Sequence, residues 1–179
     1  MTKTFSAKSS LQMVTAVTIV FMCLNAFLPL NLSSVEAEAT AYPFKLKIIL
    51  EKTAYKSREL VNVTGILTNI GEDNLTLYHS ADIEFDFIVY DENFLHVFQY
   101  SNEWFIPAIY LPFPPIPPNN NVTLTGFWNQ IYDGSGKITP ELWGKRVPSG
   151  TYYVTGFFLC TTYKLRIQTP AIRITIIGG

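Results

Sequence analysis

The stretch FDFIVYDENFLHVFQYS, Phe85 to Ser101, decides the fold. Its first half alternates apolar and polar residues, it breaks at Asp91-Glu92-Asn93, and the pattern then resumes. A period of two places successive side chains on opposite faces of a strand. Ile83, Phe85, Phe87 and Val89 are therefore expected inward, with Asp82, Glu84 and Asp86 outward. The Asp-Glu-Asn break supplies turn residues, so the stretch predicts a β-hairpin.

The same grammar extends in both directions. Phe44–Leu50, Leu60–Ile70 and Leu75–His79 precede the hairpin, with Gly71-Glu72-Asp73-Asn74 as a turn cluster. Asn121–Trp128, Gly150–Cys160 and Ala171–Ile177 follow it. No segment carries a convincing helical period, and Pro140–Lys145 suits a single turn at most. Seven to eight short strands separated by turns predict an all-β, immunoglobulin-like antiparallel β-sandwich. Within VPSGTYYV, the Gly-x-Tyr entry to a late strand suits a tyrosine corner, with Tyr152 reaching back to upstream backbone. Val154 stands where antibody domains place a second cysteine, so packing alone must hold the sandwich.

Two segments break the rhythm. Residues 11–30, LQMVTAVTIVFMCLNAFLPL, are apolar, follow Lys3 and Lys8, and precede the small residues of VEAEATA. That order predicts an N-terminal hydrophobic signal peptide, or a membrane anchor helix if it is not removed. Cleavage after Ala39 or Ala41 follows from the A-x-A pattern, giving a leader over 1–39 and a domain over 43–179. A secreted or cell-surface protein is the corresponding expectation, with membrane contact only through residues 11–30. The second segment, Glu103 to Asn121, contains Pro107, Pro112, Pro114, Pro115, Pro117 and Pro118. Proline removes ladder donors, so this cannot be a central strand. Its apolar residues, Trp104, Phe105, Ile109, Tyr110 and Phe113 among them, either cap the core or face a protein partner.

Composition narrows the chemistry. The 179 residues are 48% hydrophobic and 15% aromatic with a net charge of −1, and no basic stripe suggests nucleic acid. Beyond the leader Cys160 is the sole cysteine, so no intramolecular disulfide is available, and its apolar run reads as a buried position. His79 and His96 are the two histidines. Neither lies in a metal-ligand or nucleophile motif, so no enzyme, cofactor or metal is expected. Asp82, Glu84 and Asp86 with Asp91 and Glu92 could contribute oxygens to calcium. Their spacing along a strand fits a solvated acidic face better. Sequons at Asn62, Asn74 and Asn121 are glycosylation candidates.

The order FDFIVYDENFLHVFQYS, spacer, NNNVTLTGFWNQ and VPSGTYYVTGFF resembles the intracellular proteinase inhibitor family typified by the Bacillus inhibitor BsuPI. VNVTGILTNIGEDNLTLYHS fits the opening strand-turn-strand of such domains, and the likeness spans about residues 44 to 160. The resemblance implies an immunoglobulin-like sandwich in which Phe85, Phe87, Trp128 and Tyr152 are core. It also implies a proteinase-inhibitor function. Two expectations follow. One is an extracytoplasmic proteinase inhibitor or regulator that presents Glu103–Pro118 or Asp133–Val147 to a protease, because protease grooves bind extended backbone. The alternative is a non-inhibitory cell-surface interaction or structural module built on the same scaffold.

Overall fold

A computed structural model describes residues 34–79, 85–103, 111–112, 114–134, 138–160 and 162–178. Ser33–Gly179 forms one compact unit. In chain order the strands are β1 (Val35–Ala41), β2 (Phe44–Leu50), β3 (Ala54–Lys56), β4 (Val61–Asn69), β5 (Tyr78–His79) and β6 (Asp86–Asp91). They continue with β7 (His96–Gln99), β8 (Leu111–Pro112), β9 (Asn121–Trp128), β10 (Gly150–Cys160), β11 (Leu165–Gln168) and β12 (Ile172–Ile177). Two short 3-10 turns, Tyr100–Glu103 and Pro140–Leu142, complete the described elements.

The strands form two main sheets. One has the order β1-β2-β4-β9, and the other β3-β12-β10-β6-β7 with β11 also on β10. Every pair in them is antiparallel except β3, which runs parallel to β12. Alternation explains the inward faces. Phe44, Leu46, Ile48 and Leu50 of β2 are fully buried, as are Phe87 and Val89 of β6 and Val154 and Phe158 of β10. The two layers meet through rings: Phe44 sits edge-on to Phe158 at 5.2 Å, and Trp128 edge-on to Tyr152 at 5.3 Å. Burying a side chain of this size contributes about 1.5–3 kcal/mol. The expected tyrosine corner is present, with the Tyr152 hydroxyl donating to Pro148 O at 2.7 Å. Cys160 is buried at the end of β10.

Polar stitches close the ends. Asn69 is fully buried, donates to Asp73 O and Ile116 O at 2.7 and 2.8 Å, and accepts from Gly71 N–H. Gln130 donates to Lys56 O and Glu59 O at 2.8 and 2.7 Å and accepts from Arg58 N–H at 2.9 Å. Each buried amide has a partner for both its oxygen and its nitrogen, which removes the penalty for burying it.

The structure corrects three expectations. VEAEATA, where a cleavage site was expected, is strand β1, paired with β2 over its full length. Its small residues are the half-buried face, while Glu36 faces Lys47 at 3.2 Å and Glu38 faces Lys45. An Ala-rich edge strand and the tail of a leader have the same composition, so composition alone could not separate them. Residues 11–30, and with them the expected signal or anchor helix, lie outside the described residues. Among the described residues no helix is long and apolar enough to cross a membrane. Second, the strands exceed the seven to eight expected, because β3, β8 and β11 are too short or too broken by turns to show a period. Third, Asp86 is not on a solvated face but fully buried. It shares the parity of Ile88 and Tyr90 as expected, yet the chain after β7 folds back over it.

Candidate functional site

The residues expected to meet a partner, Trp104, Phe105, Ile109, Tyr110 and Phe113, lie outside the described residues, as do Asp82 and Glu84. Among the described residues no cluster of His, Cys, Asp or Glu could hold a metal ion. The sequon residues Asn62, Asn74 and Asn121 are all exposed, and Asn62 donates to Glu51 at 3.3 Å.

The other expected loop, Asp133–Val147, is described except for 135–137, and it is built to stand out. Residues 139 to 146 are all exposed, an uninterrupted run. A narrow stem holds them: Ile131 bridges Arg146, Tyr132 N–H donates to Lys145 O at 3.0 Å, and Gly144 N–H donates to Tyr132 O at 2.8 Å. Inside the loop, the Pro140–Leu142 turn directs Leu142 N–H to Thr139 O and Trp143 N–H to Pro140 O. Gly144, at φ 73°, permits the reversal that follows. Trp143 is 53% exposed, yet its ring packs on Gly134, where a β-carbon would lie only 3.0 Å away. Leu142 is exposed beside it.

The β6–β7 turn adds a second apolar projection at the same end of the sandwich. The Asp91 carboxylate accepts from Asn93 N–H at 2.8 Å and Leu95 N–H at 2.9 Å. This grip holds Phe94 at φ 59°, unfavourable for a bulky residue. Phe94 is 65% exposed, with its ring stacked on Tyr153 at 4.8 Å. Nothing in the alternation of the sequence marks Phe94 as exposed; only its place after a turn hints at it.

Asp133 ties the loop to β7. Its backbone N–H donates to Val97 O, and its carboxylate accepts from Gln99 N–H at 2.7 Å. The Gln99 side chain in turn donates to Asp86 at 2.7 Å. Asp86 also accepts from Phe87 N–H, Ser101 N–H and the Ser101 hydroxyl, at 2.8 to 3.1 Å. Burial raises the Asp86 pKa above the usual carboxylate range, against the pull of Gln99 and Ser101. With its acceptor positions directed at β6, β7 and the turn after β7, this carboxylate anchors the Tyr100–Glu103 turn that precedes the proline-rich segment. Next to it, His96 is half-buried and its Nε2 has no hydrogen-bond partner. Burial pushes its pKa down, while Asp133 and Asp86 act in the opposite sense. No nucleophile accompanies it among the described residues. The arrangement braces two loops.

The sequence matches the family model described as BsuPI, intracellular proteinase inhibitor, over residues 48–163. That is more than half of the chain, and the chain belongs to this family. The family is described as intracellular, which overturns the expected secreted or cell-surface localisation. No curated protein matches. Among solved structures, the chain is similar to the C-terminal domain of wzt, with TM-score 0.45 and 5% identity, covering 82% of this chain and 78% of that one. It is also similar to the CARDB domain of a Pyrococcus furiosus protein in complex with di-metal ions, with TM-score 0.43 and 10% identity, covering 78% of this chain and 100% of that one. A third likeness is to beta-glucosidase from Listeria innocua in complex with glucose, with TM-score 0.43 and 12% identity over 79% of this chain. The chain spans 17% of that enzyme's length.

Proposed function

We propose that this protein is a proteinase inhibitor that acts by protein–protein contact, on an immunoglobulin-like scaffold, and that Thr139–Arg146 is the segment it presents. The observation that carries the reading is the braced, uninterrupted exposed run from 139 to 146, which includes Leu142 and Trp143. A loop already fixed by its own hydrogen bonds loses little conformational freedom on docking, which favours tight binding. Large aromatic anchors such as Trp143 and Phe94 are the residue type that dominates protein interfaces. The proline-rich Glu103–Asn121 segment, with Trp104, Phe105, Ile109, Tyr110 and Phe113, is the second surface of the same reading, held at its base by Asp86.

The test is a titration of the purified chain against a panel of serine, cysteine and metalloproteases with peptide substrates. Stoichiometric loss of one protease's activity, with the chain itself left uncut, supports inhibition. Binding to a protein partner without any loss of protease activity would favour the non-inhibitory interaction module. Retained inhibition after Thr139–Arg146 is exchanged for a Gly/Ser linker would move the contact to the proline-rich segment.

A further inference from the structure

A groove of about 560 Å³ runs beside β3, lined by Lys52, Ala54, Lys56, Ser57, Arg58, Glu59 and Ile177. Three of these side chains are cationic and one is anionic. The anion is already committed: Glu59 contacts the Lys52 ammonium through one oxygen and accepts from Lys56 N–H at 2.8 Å through the other. Those two contacts hold the Glu59 pKa below the ordinary carboxylate range. The Lys56 and Arg58 side chains are exposed and make no ion pair among the described residues. The groove therefore keeps an uncompensated positive charge on a chain whose net charge is −1.

The backbone adds direction. Thr175 N–H donates to Thr53 O and Ser57 N–H donates to Ile177 O, so alternate residues of this edge bond to β12. The N–H and C=O of Ala54 and Lys56 point the other way. Those of Lys56 are taken by Glu59 and Gln130. Those of Ala54 have no partner among the described residues. The free N–H and C=O of Ala54 are one pair of sites at which an extended partner backbone could dock. Beside it, Ile177 is 51% exposed, an apolar surface next to the cations.

We infer that this groove takes an extended acidic segment of a partner protein, pairing its carboxylates with Lys56 and Arg58 and resting an aliphatic side chain on Ile177. Glu59 shows, within the chain itself, how a carboxylate is read here, by one ammonium and one backbone N–H. A second copy of the chain is disfavoured as occupant, since two such grooves facing each other would oppose like charges. Gln130 joins the groove to the stem of the 131–146 loop by bonding Lys56, Arg58 and Glu59 from one side and Val147 N–H from the other. The inference names the character of the partner's surface beside that loop, so it extends the inhibitor reading without requiring it.

The experiment uses the full chain and a labelled peptide of alternating Glu and Ile, read by fluorescence anisotropy at several NaCl concentrations. Binding is expected, weakening as salt rises because the charges are exposed. The double variant Lys56→Gln, Arg58→Asn should bind at least tenfold more weakly; asparagine suits the left-handed backbone at 58, where φ is 73°. The control Lys45→Gln, Lys47→Gln, on another sheet, should bind as the wild type does. Trp143→Ala should also leave peptide affinity unchanged, so a failed inhibitor reading and a failed groove give different results. The inference is overturned by an absence of peptide binding, by equal binding of a Lys/Ile peptide, or by unchanged affinity in the double variant. Full competition by inorganic phosphate at equal concentration would overturn it too, reducing the groove to a general anion site.

Discussion

The side-chain amide of Gln99 donates to the buried carboxylate of Asp86 at 2.7 Å, while the backbone N–H of the same glutamine donates to Asp133. One residue thus couples the strand and turn before the proline-rich segment to the exposed loop. Asp86→Ala leaves the buried Phe87 N–H without its acceptor, at about 1–3 kcal/mol, and the part-buried Ser101 N–H as well, at a smaller cost. Gln99→Ala keeps both of those bonds and should cost less. Urea unfolding of the two variants checks the order.

The same carboxylate predicts a pH effect with a definite sign. The folded-state pKa of Asp86 is raised above its ordinary value, so the folded protein holds this proton more tightly than the unfolded chain. Its contribution is fullest below about pH 4 and is lost as pH rises through the folded pKa. Asp86→Asn removes the titration. The stability difference between the two proteins should move in favour of the asparagine variant between pH 4 and 7, measured as paired melts across that range.

His96 predicts the opposite slope at higher pH. Burial lowers its folded pKa from 6.5, so its neutral form is the one the fold accommodates. The stability it allows is present above about pH 6.5 and is lost as pH falls through the folded value, because the unfolded chain takes up the proton first. His96→Gln should flatten the decline between pH 7 and 5. A wild-type profile that already lacks this decline would place the ring in water.

Gly156 of β10 packs tightly against the facing sheet. A β-carbon there would collide with the Cγ2 methyl of Ile48 on the facing sheet. Its backbone is also engaged, with Gly156 N–H donating to Thr169 Oγ1 and Thr169 N–H donating to Gly156 O, both at 3.0 Å. Gly156→Ala should destabilise by roughly 1–3 kcal/mol through overpacking. Ile48→Ala removes the clashing Cγ2, so Gly156→Ala should cost less in an Ile48→Ala background than in the wild type if the contact is the cause. Additive losses in thermal melts would point elsewhere.

What the sequence made legible, and what it hid, follows from these contacts. Alternation located β2, β4, β6, β9, β10 and β12 because each has one face in the core, and burial imposes a period of two. It assigned Asp86 to the correct side of its strand and still missed its burial. Parity says which face a residue is on, while the cover over that face comes from Gln99 and Ser101, more than ten residues later. β1 was hidden because alanine is as common in a leader's tail as at a sheet edge, and the complementary lysines that define its register lie on β2. The loop was recognisable as a candidate from its position between strands. The hydrogen bonds that brace it run between Tyr132 and Lys145, a pairing no local pattern encodes.

Trp143 gives the sharpest separation of function from fold. Its ring packs on Gly134 and its N–H donates to Ile138 O at 3.4 Å, yet the side chain is half exposed and lies outside the buried core cluster. Trp143→Ala should therefore change stability by only about 0.5 kcal/mol, the range of surface substitutions. An aromatic anchor at the centre of an interface is worth far more, about 2 kcal/mol or above on truncation, or roughly thirtyfold in affinity. Inhibition constants against whichever protease responds, measured beside a urea melt, give both numbers from one variant. Phe94→Ala belongs in the same experiment, because that ring projects from the adjacent turn and contacts Tyr153 alone among the ring contacts described. A loss of inhibition in both variants with intact melts assigns the end of the sandwich as the contact surface. Full inhibition by the two variants together excludes that end and leaves the segment that begins at Glu103.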